Sequence, residues 1–205
     1  MQVIPNGLGL QVIVDYAHTP DALEKVLAAL KAHVSGDLIT VFGCGGDRDR
    51  TKRQVMGRVA CQFSDRVILT SDNPRGEDPA AILADIAAGC SGDYALLPDR
   101  AEAIAEAIGA AQPGDCVVIA GKGHEDYQII EGERRYFSDE EQARNQLRQH
   151  ERDQLLASQQ GGYGNAQAVQ FLQQAAQFSQ MEVPANFANM VENADAQEAL
   201  ILQTD

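Results

Sequence analysis

Short apolar runs rich in β-branched residues recur through the first three quarters of the chain. Each is followed by a stretch whose apolar positions fall three and four apart. The runs at 11–15, 38–42, 67–70, 94–97 and 116–120 read as strands. Between the first two, Thr19 suits an N-cap and Pro20 the first helical position, and Ala22, Leu23, Val26, Leu27 and Leu30 share one face. Further helices are predicted through Val55, Met56, Val59 and Cys61, over 79–88 with Ile82, Leu83 and Ile86 inward, and over 101–110. Strands that are apolar throughout and alternate with helices predict an α/β fold: an open, mostly parallel sheet with helices on both faces.

After Ala120 the pattern changes. Runs at 127–130 and 134–137 flank Glu131-Gly132-Glu133 and predict an antiparallel hairpin at the sheet edge. Ser138 and Glu141 have the spacing of a capping box for a last helix. The expected domain is therefore 1–150. Residues 151–205 form a Gln/Ala-rich acidic extension, read as helical or disordered, with a joint at Gly161-Gly162-Tyr163-Gly164 and an amphipathic stretch at 168–178. No chemistry is assigned to that extension.

Composition narrows the partners. A formal charge of -14 argues against nucleic acid and anionic membrane, so any anionic ligand needs a local basic cluster. Cys44, Cys61, Cys90 and Cys116 lack CxxC spacing and read as reduced, mostly buried thiols rather than a metal site or disulfide frame. No basic leader and no apolar run long enough to cross a bilayer is seen, and a cytoplasmic location is expected.

In a parallel sheet the loops after four of these strands emerge at one edge, where ligands bind. They are Asp15-Tyr-Ala-His18, Gly43-Cys-Gly-Gly-Asp-Arg-Asp-Arg50, Asp72-Asn73-Pro74-Arg75 and Gly121-Lys-Gly-His-Glu125. Pro74 fixes its own φ and biases Asn73 toward extended geometry. That turn then offers Asp72 for an ammonium and Arg75 as a fork for a carboxylate, or else it is a plain solvated turn. Arg48 would project from the neighbouring glycine-rich loop toward the same ligand. Gly121-Lys122-Gly123-His124 fails the phosphate-loop pattern, and that pattern occurs nowhere in the chain. Glu125 is a second ammonium partner, and His124 is either structural or functional. Asp15 and His18 either cap a turn or approach a nucleotide. No catalytic residue and no metal ligand is assigned.

Taken together, Asp15-Tyr-Ala-His-Thr-Pro-Asp21, 42–49, Asp72-Asn-Pro-Arg75 and 120–128 resemble the C-terminal domain of the Mur ligase family, in its diaminopimelate-adding branch. The resemblance covers about residues 10 to 148. It implies a Rossmann-like domain of an ATP-dependent acid–amino-acid ligase of peptidoglycan synthesis. That enzyme joins meso-diaminopimelate to UDP-N-acetylmuramoyl-L-alanyl-D-glutamate through an acyl phosphate. By motif, Arg48, Asp72, Asn73, Arg75, Gly121 and Glu125 match diaminopimelate-binding positions, and Asp15 and His18 match positions near the nucleotide. A buried Arg fitted to the second carboxylate of diaminopimelate would be left unpaired by lysine. The family's UDP-binding and ATPase domains are missing from these residues. ATP, Mg2+ and the UDP-linked dipeptide are therefore expected to bind mainly outside them, with the isolated chain inactive. The alternative is a non-catalytic amino-acid-binding or partner module derived from such a ligase. Oligomeric state is left open.

Overall fold

The computed structural model of the protein describes residues 1–160. The main sheet has six strands: β1 (Gln2–Ile4), β2 (Gln11–Asp15), β3 (Leu38–Phe42), β4 (Arg66–Leu69), β5 (Tyr94–Leu96) and β6 (Cys116–Ala120), in the order β1-β2-β6-β3-β4-β5. All neighbouring pairs from β2 to β5 are parallel, and β1 is antiparallel to β2. The predicted strands therefore form, within a residue at their ends. The addition is β1, three residues long with only Ile4 buried, too short to show a period.

The helices are α1 (Pro20–Lys31), α2 (Thr51–Phe63), α3 (Pro79–Ala87), α4 (Arg100–Ala110) and α5 (Asp139–Gln160). Thr19 caps α1 by accepting from the Ala22 N–H at 3.3 Å, with Pro20 opening the helix. Alternation along each strand decides which helices cover which face. Leu38, Phe42, Val67, Leu69, Cys116 and Val118 pack under α1, α2 and α3, with Leu23, Leu27, Met56 and Ile86. Ile39, Val41, Ile68, Val117 and Ile119 pack under α4 and α5, with Ile104, Ile108 and Leu147. Each such buried side chain contributes about 1.5–3 kcal/mol.

The hairpin forms from β7 (Tyr127–Ile130) and β8 (Glu133–Tyr136). It makes a separate two-stranded sheet and joins no edge strand of the main one. Its attachment is to the turn after β4, through a bridge between Arg75 and Ile130. Ser138 caps α5 by accepting from the Glu141 N–H at 3.3 Å, while the Glu141 carboxylate takes the Tyr136 hydroxyl at 2.8 Å. The helix runs past residue 150, and Glu151 accepts the Gly7 N–H at 2.6 Å. The joint and amphipathic stretch read at 161–178 lie outside the described residues.

All four cysteines are free. Burial pushes the Cys44 and Cys116 thiols up to about 12. No helix among the described residues is long and apolar enough to cross a membrane.

Candidate functional site

β6 is inserted between β2 and β3, so the ends of β2, β6, β3 and β4 lie side by side at the carboxyl edge. The loops that follow are bonded to one another. Glycine is required where they touch: a Cβ on Gly43 would lie 2.0 Å from the Thr70 carbonyl oxygen, and one on Gly46 1.9 Å from that of Pro74. The Gly46 N–H donates to the Asn73 carbonyl at 2.8 Å. The Gly76 N–H donates to Asp47 at 3.1 Å, and the Asp47 N–H donates to Glu77 at 2.6 Å.

Glu77 in turn receives both arms of the buried Arg53 guanidinium, at 3.1 and 2.9 Å. Arg53 also donates to Asp85 at 2.9 Å and to the Gly45 carbonyl at 3.2 Å. One cation of α2 thus holds the glycine loop, the segment after the turn and α3. The Arg53 bond and the Asp47 N–H hold the Glu77 carboxyl down at about 2. Burial opposes the charge of Arg53, but its bonds to Glu77 and Asp85 outweigh that and raise its pKa.

The turn itself is clasped by the hairpin. The Ile129 N–H donates to Asn73 Oδ1 at 2.9 Å, and Gln128 Nε2 donates to the Asp72 and Ser71 carbonyls at 2.9 and 3.3 Å. Arg75 sits at φ 53, a conformation that costs a non-glycine residue about 1–2 kcal/mol. Its N–H bonds the Ile129 carbonyl at 2.9 Å and its carbonyl takes the Glu131 N–H at 2.8 Å, which holds it there.

Within this frame Asp72 and Asn73 are buried and Glu125 is half-buried. Asn73 Nδ2 donates to Glu125 Oε2 at 3.2 Å. Beneath them lies Lys122, its side chain fully buried. Its Nζ is 3.3 Å from Glu125 Oε2 and 3.5 Å from both Asp72 Oδ1 and Asn73 Oδ1. The contact with Asp72 is an ion pair without hydrogen-bond geometry, so the buried Asp72 Oδ1 has no hydrogen-bond donor. Lys122 also lies 5.3 Å from the centre of the Tyr127 ring, whose face carries Arg134 at 3.9 Å.

Arg75 corrects an expectation. It is half-buried rather than buried, and its Nη1 donates to the Gly46 and Asn73 carbonyls at 2.9 and 3.3 Å. Its guanidinium therefore keeps partners whatever ligand is present, which limits how strongly it alone can reject lysine. Arg48 is exposed on the glycine loop, its Cγ near Gly45. Gly121, at φ 113, places Asp72 Oδ2 3.7 Å from where a Cβ would stand.

Asp15 and His18 lie at the same edge, on the β2 side. Asp15 Oδ1 accepts from the Ala17 N–H at 2.8 Å, and the Asp15 carbonyl takes the N–H groups of Gly121 and Gly123, both at 3.1 Å. His18 Nδ1 contacts the Tyr16 carbonyl at 3.0 Å, and its own carbonyl takes Lys52 Nζ at 2.7 Å. The exposed Tyr16 ring stands edge-on to His18 at 4.8 Å and stacks on His124 at 5.8 Å. Asp15 itself is buried, with its Oδ2 3.3 Å from the N-terminal ammonium, whereas His18 is half-buried and Tyr16 is exposed at that edge.

Lys122 and Gln128 are the site residues that sequence reasoning passed over. The phosphate-loop pattern, which Lys122 fails, hides its role; its signal in the sequence is a lysine three positions before Glu125, just after an apolar strand. Gln128 closes the 120–128 segment of the resemblance, but its sequence position gives it no role of its own. Among the described residues no group of three or more His, Cys, Asp or Glu side chains is placed to hold a metal ion.

The model of the Mur ligase, glutamate ligase domain family matches residues 1–123. Over 135 residues the chain is 61% identical to the UDP-N-acetylmuramoyl-L-alanyl-D-glutamate–2,6-diaminopimelate ligase of Synechococcus elongatus, covering 65% of this chain and 27% of that protein. The ligase of the same name from Synechocystis sp. is 57% identical over 149 residues, covering 72% and 29%. That from Bacillus cereus is 54% identical, covering 70% and 29%. A solved structure of a ligase of this name superposes with a TM-score of 0.71 at 51% identity, over 74% of this chain and 31% of that one.

Proposed function

The chain belongs to the Mur ligase family, through its glutamate ligase domain, and on that footing we propose that it is the amino-acid-binding part of a ligase joining meso-diaminopimelate to UDP-N-acetylmuramoyl-L-alanyl-D-glutamate. It spans 27% and 29% of the length of the relatives from Synechococcus elongatus and Synechocystis sp.. The observation that carries the reading is the meeting of Asp72, Asn73 and Glu125 from two loops over one buried lysine, with Arg75 at the end of the same turn and Arg48 on the neighbouring glycine loop. Carboxylates and guanidiniums on adjoining loops fit a zwitterion. The acids take the ammonium, and the guanidiniums take the carboxylate in forked hydrogen bonds. Gly121 lets the ligand approach the backbone.

In the whole ligase, the γ-phosphoryl group of ATP would pass to the glutamate γ-carboxylate with release of ADP, and the bound amine would attack that acyl phosphate and expel phosphate, with Mg2+ supplying charge neutralisation at the phosphates. This chain carries no phosphate-loop sequence. Its own contribution on that side is the edge with Asp15, His18 and the exposed Tyr16 ring, which suits contact with a nucleotide held by another part of the enzyme. The place of such a reaction is the cytoplasm, where nucleotide-linked precursors and ATP are found.

Calorimetry on the 205-residue chain tests the binding claim. Meso-diaminopimelate is expected to bind at least about tenfold more tightly than L-lysine, because lysine lacks the second carboxylate. Arg75→Ala should lower the affinity for diaminopimelate and narrow that gap. Equal heats for the two ligands, or a gap unchanged by Arg75→Ala, would sink the assignment. The same chain should show no ATP hydrolysis dependent on the UDP-linked dipeptide.

A further inference from the structure

The position of Lys122 raises a question the ligand assignment does not answer: why a pocket built to take an ammonium already contains one. Two carboxylates, Asp72 and Glu125, and the amide oxygen of Asn73 converge within 3.5 Å of its Nζ. Carboxylate and amide oxygens are hard donors, the kind that Mg2+ and Mn2+ select. Without the lysine, the cluster would carry two negative charges around a space the size of a cation. A ligase that spends ATP works in millimolar Mg2+, so such a cluster would be filled by metal, and its acids would be lost to the substrate.

We propose that Lys122 is a positioning and specificity residue that occupies this oxygen cluster as a built-in cation. It keeps divalent metal out and leaves Asp72 and Glu125 one net negative charge for one ammonium of the bound amino acid. The inference rests on the amino-acid-binding reading above. The lysine cannot be displaced easily. Its backbone follows directly from β6, the Lys122 carbonyl accepts the Glu125 N–H at 2.9 Å, and its side chain has no exposed surface. Its contacts of 3.3–3.5 Å are long for charged hydrogen bonds, and Asp72 Oδ1 receives no hydrogen bond at all. The lysine therefore balances the charge of Asp72 without a hydrogen bond to its Oδ1, while Glu125 Oε2 accepts from both Lys122 Nζ and Asn73 Nδ2 and leaves the other Glu125 oxygen for a ligand. A purely structural salt bridge would be expected to close to shorter contacts and saturate its partners.

The test is Lys122→Met, which keeps the length of the stem and removes the charge. Mn2+ binding is read by electron paramagnetic resonance on the full chain, and diaminopimelate binding by calorimetry with and without millimolar Mg2+. The wild type should take up no Mn2+ at this cluster and bind diaminopimelate equally with and without Mg2+. Lys122→Met should bind Mn2+, and millimolar Mg2+ should weaken its diaminopimelate affinity by about tenfold through competition. Adding Glu125→Gln to Lys122→Met should abolish the Mn2+ signal.

No Mn2+ uptake by Lys122→Met, or diaminopimelate affinity indifferent to Mg2+, overturns the proposal. Should Lys122→Met not fold, Lys122→Gln carries the same expectations. If both unfold and only the double variant recovers stability, the lysine is structural and the proposal falls. If the wild type does not bind diaminopimelate, the ligand assignment fails by itself, and the Mn2+ measurement still decides the role of Lys122.

Discussion

Gly46 and Pro74 touch so closely that one methyl group separates a formed site from a displaced one. The Cβ of an alanine at 46 would have to sit 1.9 Å from the Pro74 carbonyl oxygen, so the backbone must move. Gly46→Ala is expected to cost about 1–3 kcal/mol, as overpacking does. It should also weaken diaminopimelate binding, because the Gly46–Asn73 bond and the Arg75 contact to Gly46 break together. Urea unfolding and calorimetry on the same variant check both effects. A variant with unchanged stability and affinity would refute the close approach. At this scale the sequence was readable in part. Asp72, Asn73 and Glu125 were found because a polar set after an apolar strand stands out. Lys122 was not, because no local pattern announces that a lysine will fold inward beneath residues some fifty positions away.

Between elements, two buried arginines fasten the site to the scaffold. Arg100 opens α4 and bonds Asp139 at the start of α5 through two atoms, at 2.7 and 2.8 Å. It also donates to the carbonyls of Ala120 and Ser71, at 2.9 and 3.4 Å, the residues just before Gly121 and Asp72. Burial opposes its charge, and the attraction of Asp139 overcomes that and raises its pKa. Asp139→Ala strands a buried cation and should cost about 3–5 kcal/mol in chemical unfolding. Replacing the pair together, Arg100→Met with Asp139→Leu, should recover most of that loss.

The second tie, Arg53 to Glu77, titrates. The Glu77 carboxyl is lowered from its usual 4.5 to about 2 in the folded protein. A depressed carboxyl stabilises the fold above the unfolded value and loses that contribution as pH falls through the folded one. The melting temperature should therefore fall between pH 4.5 and 2, and Glu77→Gln should flatten that part of the profile. An unchanged slope in Glu77→Gln would remove Glu77 from the account.

On the scale of the whole molecule, the core and the site are enclosed by elements that end with the first turns of α5. Among the described residues the last in the core is Leu147, and the contact of Glu151 with Gly7 lies just beyond it. If residues up to about 150 make the whole folding and binding unit, as the domain division proposes, deleting residues 161–205 should leave the melting temperature and the affinity for diaminopimelate unchanged within error. A loss of either would show that the domain division proposed near residue 150 cuts through a functional unit. The hairpin shows the opposite case, since it adds no residue to either core cluster yet fixes the Asp-Asn-Pro-Arg turn. Tyr136→Ala, on the exposed end of β8, tests a different part of it and should leave binding intact.

The alternating strands and helices, both covered faces and the four loops at one edge are all written in the order of the residues. Those features follow from periodicity, glycine and proline, which act over a few neighbouring residues. Only the tertiary structure decided that the hairpin leaves the sheet edge to clasp the turn, that β1 pairs with β2, and that Arg75 folds back on the glycine loop. It also decided that Lys122 lies under Asp72 and Glu125. Each of these depends on hydrogen bonds and ion pairs between segments distant in the chain, whose geometry exists only once the sheet order β2-β6-β3-β4 has brought their ends together. The turn at 72–75 was thus legible as a set of charges, and the fold alone set which charge faces which.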